Sequence, residues 1–153
     1  MSDGPYLFDV GVTALAHAGT PVSEPALSYV RQAITGDLEA IIPYTSVIGA
    51  QHVLSNVYGF SNTDSSRILQ RFTEARRIHW YDDIGEQTVQ KGLEIAANVN
   101  IEGWDGYYAH AARSEGAEKI LTIDRDFERV DGIDVEIILT QSEFRSLNDY
   151  LTN

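Results

Sequence analysis

The chain has 153 residues, 43% of them hydrophobic, which suffices for one buried core, and no Pro-, Gly- or Ser-rich linker divides it. Its 23 acidic residues against 11 basic give a net charge of −12, an excess that opposes a polyanionic ligand in dilute buffer. The absence of cysteine excludes disulfides and thiolate metal sites, and no apolar run approaches the roughly 18 residues of a membrane span, so a single soluble, cytoplasmic domain over residues 1–153 is expected.

In chain order, residues 6–10 read as a short buried strand and residues 24–34 carry apolar side chains at helical spacing. Residues 40–44 form a second strand, followed by a helix over 46–57 that stops at Tyr58-Gly59. Thr63-Asp64 opens the next helix, whose stripe of Ile68, Leu69, Phe72 and Ala75 runs to residue 76. Residues 77–81 give a third strand. Helices over 85–98 and 104–114 come next, the second closing at Gly116, where a left-handed cap fits. Residues 119–123 and 135–139 are the last strands and 141–151 a terminal helix. The alternation predicts an α/β chain: a three-layer α/β/α sandwich around a mostly parallel five-stranded sheet.

Three acids stand out by position. Asp9 and Asp124 end apolar strand-like runs, and Asp105 opens a helix. Open α/β sheets bind ligands at the carboxyl ends of their strands, so the three are expected to meet in one cleft. Without a counter-ion, such a cluster raises its own pKa values, and a divalent cation removes that cost. Oxygen ligands suit Mg²⁺ or Mn²⁺. The histidines, His17, His52, His79 and His110, show no paired ligand spacing and read as packing or surface residues. For Asp9 the alternative is a cap on residues 10–16; Asp105, in a first turn, is expected to be held ionised by the helix dipole.

The ordered set Asp9, Trp104-Asp105 before Ala109, Ala111 and Ala112, and Thr122-Ile123-Asp124-Arg125-Asp126-Phe127 resembles a PIN domain, the nuclease fold of VapC-type toxins. The resemblance covers almost the whole chain. It implies a metal-dependent endoribonuclease in which Asp9, Asp105 and Asp124 are catalytic and, with Asp126, hold one or two Mg²⁺ or Mn²⁺ ions that hydrolyse RNA phosphodiesters. It also implies a small antitoxin partner and a homodimer.

Two departures from the family pattern stand out. Val10 and Gly11 replace a hydroxyl residue and Asn after the first Asp, and no carboxylate lies between Glu39 and Asp64, where a helix Glu is expected near Gly49. Gln51 is one substitute by its neutral oxygen. Glu102, one helical turn before Asp105, is another. Asp126 either joins the metal site or caps a short helix beginning near Phe127. Thr122 is expected to hydrogen-bond Asp124 or a nearby water, unless it is only a β-branched strand residue.

Arg67 and Arg71 stand four apart on one predicted helix and are the candidate RNA contacts, the alternative being a solvated face paired with Glu74. Trp104, Tyr107 and Tyr108 offer base stacking if exposed, or core if not. The acidic excess reads either as ordinary solubility or as adaptation to a saline cytosol, where screening shortens to about 3 Å at roughly 1 M salt and the charge no longer repels RNA. The alternative function is a catalytically weakened PIN-fold module that binds RNA or protein.

Overall fold

The computed structural model describes residues 3–152. Five strands form one parallel sheet: β1 (Asp3–Phe8), β2 (Leu38–Pro43), β3 (His79–Tyr81), β4 (Lys119–Thr122) and β5 (Asp134–Ile137), in the order β3-β2-β1-β4-β5. The connections are helical: α1 (Val10–Ala18) and α2 (Glu24–Thr35) between β1 and β2, α3 (Tyr44–Asn56) and α4 (Asn62–Phe72) before β3, α5 (Glu86–Val99) and α6 (Gly103–Ser114) before β4, with α7 (Gln141–Thr152) last.

Strand alternation builds the three layers. Phe8, Ala40, Ile42 and Leu121 face a core shared with α1 to α4 and α7, whereas Leu7, Ile41 and Ile120 point the other way, onto Tyr107, Tyr108, Ala111 and Ala112 of α6. Both faces are covered, which is why the strands read as continuous apolar runs. The α/β sandwich is as expected, and every strand pairing is parallel.

The fourth helix is shorter than its apolar stripe predicts. It ends at Phe72, where the NH groups of Glu74 and Ala75 donate to Arg71 and Phe72 and tighten the turn. Ala75 still packs against the core from beyond the helix end. Among the described residues no helix is long and apolar enough to cross a membrane.

Helices α5 and α6 meet through two glycines. A Cβ on Gly106 would lie 2.1 Å from the Gly92 carbonyl oxygen and 2.9 Å from the Ala96 Cβ, and one on Gly92 would lie 2.8 Å from the Tyr107 Cα. Only hydrogen fits at these positions. The pair seats α6 and with it Asp105, one residue before the notch.

Candidate functional site

Strand order reverses at β1: β2 lies on one side of it and β4, the strand after two further crossovers, on the other. The carboxyl ends of β1 and β4 therefore flank the sheet's switch point. Register then places the polar groups. Leu7 pairs with Ile120 and Phe8 with Leu121, so Asp9 stands beside Thr122, both two residues past side chains that face α6. The Thr122 hydroxyl donates to Asp9 Oδ2 at 3.0 Å, and the Asp9 Oδ1 accepts from Val10 NH at 2.7 Å, capping α1. Asp9 is thus a cap as well as the first acid of the cleft.

A pocket of about 740 Å³ opens here, lined by Asp9, Glu102, Asp105, Asp124 and Asp126 together with Trp104 and residues of α3. Asp9 is 4% exposed, and burial, opposed by the Thr122 hydroxyl and reinforced by Asp124, pushes its carboxyl up to about 7. Burial and then the charges of Asp9, Asp124 and Asp126 push Asp105 up to about 7 as well. The expectation that the helix dipole holds Asp105 ionised is corrected: a dipole effect of about 0.3–1 kcal/mol is outweighed by burial among like charges. Asp124 is raised too, chiefly by burial.

Thr122 is fully buried and bridges the first and last acids, since its Oγ1 also accepts from the Asp124 NH at 3.3 Å. The carboxylate that organises the turn after β4 is Asp124, whose Oδ1 accepts from the Asp126 NH at 3.0 Å. Asp126 itself begins the 3₁₀ turn Asp126–Arg129 without capping it and lines the pocket instead. Replacing Thr122 by Val leaves a nearly isosteric side chain but strips a donor from the buried Asp9, so Thr122→Val is expected to cost about 1–3 kcal/mol at pH 8 in urea unfolding. The loss is expected to shrink below pH 5, where Asp9 is protonated. An equal loss at both pH values would mean that packing alone fixes Thr122.

Gln51 is not brought to the pocket. Its amide Nε2 donates to Ser55, Asn62 and Ser65, tying α3 to the start of α4. The α3 residues that do line the pocket are Thr45, Ile48, Gly49, His52 and Val53. His52, read from sequence as a packing or surface residue, is exposed and also forms part of the pocket wall; helical spacing from Gly49 was the signal that placed it on the same face. The two departures after Asp9 and on α3 are one packing event, because a Cβ on Gly49 would sit 3.0 Å from Val10 Cγ2. Glu102, at the cap position of α6, lines the pocket.

Arg67 and Arg71 share a recess with Asp64 and Ile68 of α4 and with Phe60, which precedes the helix, and it has no lining residue in common with the acid pocket. Tyr107 and Tyr108 are core. Trp104 is 57% exposed, at the pocket rim, stacked on Tyr108 at 6.2 Å between ring centroids.

The acids lining the pocket offer carboxylate oxygen, the hard-ligand chemistry that Mg²⁺ or Mn²⁺ prefers, and their partly buried negative charge asks for a counter-cation. The acids ring the pocket rather than closing on a point: no group of three or more His, Cys, Asp or Glu side chains among the described residues is placed to hold a metal ion as it stands. Mutual repulsion works against closer approach.

No protein-family model matches the sequence, and no curated protein matches it significantly. Solved structures match its fold. PAE2754 from Pyrobaculum aerophilum is 18% identical, with a TM-score of 0.59 over 95% of this chain and 96% of that one. VapBC2 from Rickettsia felis, bound to a DNA fragment from its promoter, is 15% identical, with a TM-score of 0.60 over 86% and 96%. A toxin–antitoxin complex from Klebsiella pneumoniae is 11% identical, with a TM-score of 0.59 over 84% and 94%. This chain has a PIN-like fold. In this PIN-like fold the acids foreseen from sequence occupy one rim of the sheet, and the α3 position expected to carry a fourth carboxylate presents Gly49 and His52.

Proposed function

We propose that the protein is a divalent-cation-dependent endoribonuclease of the VapC toxin type, with Asp9, Asp105 and Asp124 as its central acids and Asp126 and Glu102 as supporting ones. The observation that carries this reading is the ring of five carboxylates around one pocket at the switch point between β1 and β4. Mg²⁺ or Mn²⁺ held by Asp9, Asp105, Asp124 and Asp126 would supply Lewis-acid charge and an acidified water for phosphodiester hydrolysis. The chain's own residues do the rest. Thr122 fixes the rotamer of Asp9 by a hydrogen bond at 3.0 Å, the turn after β4 fixes Asp124, and the glycine notch of α5 and α6 fixes Asp105. Trp104, exposed at the rim, offers a base-stacking face. By the same reading a small antitoxin protein silences the enzyme, which acts as a homodimer in the cytoplasm.

Incubation of single-stranded RNA with the protein and Mn²⁺ tests the proposal; cleavage that EDTA abolishes is expected. Cation binding is read separately by thermal unfolding. At a hundredfold excess over Kd, Mn²⁺ adds about 2.7 kcal/mol, a rise of about 5–10 °C in Tm for a chain of this size. The rise is expected to be largest at pH 8 and smaller at pH 5, where protons occupy Asp9 and Asp105. No shift at either pH would remove the cation from the proposal.

A second reading, a weakened PIN-fold module that binds RNA or protein without cutting, is favoured by one observation: α3 brings no carboxylate to the pocket. RNA binding with no cleavage at any Mn²⁺ concentration would select it.

A further inference from the structure

A groove of about 430 Å³ runs from the acid pocket along the turn after β4 to the first two turns of α7. It shares Ile123 and Asp124 with the pocket, so the two adjoin across these residues. Its floor is apolar, with Ile137 and Leu139, and Phe144 stands exposed at its side. Arg125 and Arg145 line it.

What sets these two arginines apart from the other basic residues without a partner, such as Arg67 and Arg71, is that they stand beside the acid pocket. Arg31 and Lys119 pair with Glu24 and Glu136, and Arg77, Arg113 and Arg129 donate to backbone carbonyls. The guanidinium groups of Arg125 and Arg145 are exposed and make no ion pair or hydrogen bond among the described residues, although acids outnumber bases 23 to 11. Two unpaired guanidinium groups beside an acidic pocket match a ligand that carries its own negative charge. An apolar floor and an exposed phenyl ring match a ligand that also presents flat apolar faces. The wall is rigid: Thr140 NH donates to Glu143 Oε1 at 3.0 Å, and Glu143 NH to Thr140 Oγ1 at 3.1 Å, a reciprocal cap that fixes the start of α7.

We propose that this groove carries a single strand of RNA across the edge of the acid pocket, with Arg125 and Arg145 on successive phosphates and Phe144 against a base. The proposal rests on the nuclease reading above and assigns that enzyme its substrate path. The strand runs over the β5 side of the sheet, not over α4.

The test is fluorescence anisotropy with a labelled single-stranded RNA oligonucleotide and Mn²⁺, in the Asp9→Asn background so that the probe stays intact, alongside cleavage by chains that retain Asp9. Arg125→Ala and Arg145→Ala are each expected to weaken binding about tenfold, the cost of one charge-assisted hydrogen bond. Each is also expected to flatten the slope of log affinity against log salt by about 0.7, the signature of one phosphate contact on a single strand. Arg145→Lys, which keeps the charge, retains the slope. In the cleaving enzyme Arg145→Ala raises KM more than it lowers kcat. RNA affinity unchanged in both arginine variants but lost in Arg67→Ala and Arg71→Ala overturns the groove and puts the strand on α4. Loss of binding to a Glu-rich peptide with RNA binding intact overturns it in favour of a protein segment. A parent that cleaves RNA while the arginine variants bind and cut normally sinks the groove alone; a parent that neither binds nor cuts RNA ends the nuclease reading together with it.

Discussion

Asp9→Asn is expected to abolish Mn²⁺-dependent RNA cleavage, by at least about 100-fold, while making the cation-free protein more stable at pH 8. The two effects have one cause. Asp9 is 4% exposed and its carboxyl is pushed up to about 7, first by burial, against the pull of the Thr122 hydroxyl. In the unfolded chain the same group titrates near 3.8. Between about pH 4 and pH 7 the folded protein therefore holds a proton that the unfolded chain has released, and stability falls as pH rises through that window. A raised carboxylate is at its least favourable above pH 7. The shift corresponds to a penalty on the order of 4 kcal/mol at 1.36 kcal/mol per pH unit, all present at pH 8. Asn keeps the oxygen that accepts from Val10 and carries no charge, so thermal unfolding in EDTA is expected to show Tm raised by about 8–16 °C at pH 8 and little changed at pH 4. Mn²⁺ at a hundredfold excess over Kd narrows the gap by about 2.7 kcal/mol, because only the parent gains. An Asn variant less stable than the parent at pH 8 in EDTA would show that the Asp9 charge is not a burden to the fold, and the cation would lose its physical rationale.

Gly106→Ala is expected to destabilise the protein by about 3 kcal/mol and to lower cleavage about 100-fold. On intrinsic propensity alone, Ala in place of Gly inside a helix is favourable by about 1 kcal/mol. Here the added methyl would lie 2.1 Å from the Gly92 carbonyl oxygen and 3.0 Å from the Ala96 nitrogen, and backbone atoms of α5 cannot rotate aside. The helices must part, and Asp105 moves with α6. Gly103→Ala is the control, because its methyl would meet only the end of the Leu93 side chain, at 3.3 Å. Urea unfolding separates the two variants, and the Mn²⁺-induced rise in Tm reports whether the surviving Gly106→Ala fold still gathers the acids. Equal stability for the two variants would mean that α5 and α6 have more slack than their backbones show, and the positioning role assigned to the notch would fall.

The acid positions were legible in sequence because each is tied to a local signal. Asp9 follows Leu7-Phe8, Asp124 follows Ile120-Leu121-Thr122, and Asp105 sits in the first turn of an Ala-rich helix, so strand and helix ends located them before any packing was known. Helix ends governed by turn bonds were less legible: the apolar stripe of α4 outruns the helix, since Ala75 reaches the core from a turn. Gln51 looked like a site residue because it lies near the expected carboxylate, yet helical rotation turns it toward Ser65 and brings His52 to the pocket instead.

The sequence alone determined the alternation of strands and helices, the two apolar faces of the sheet and the acids at element ends, because these depend on period and on near neighbours along the chain. Only the tertiary structure decided the register that sets Asp9 beside Thr122, the burial that lifts Asp9 and Asp105 to about 7, and the glycine contact of α5 with α6. Those depend on groups far apart in sequence, whose mutual distance and shared loss of water come into being when the sheet closes against its helices.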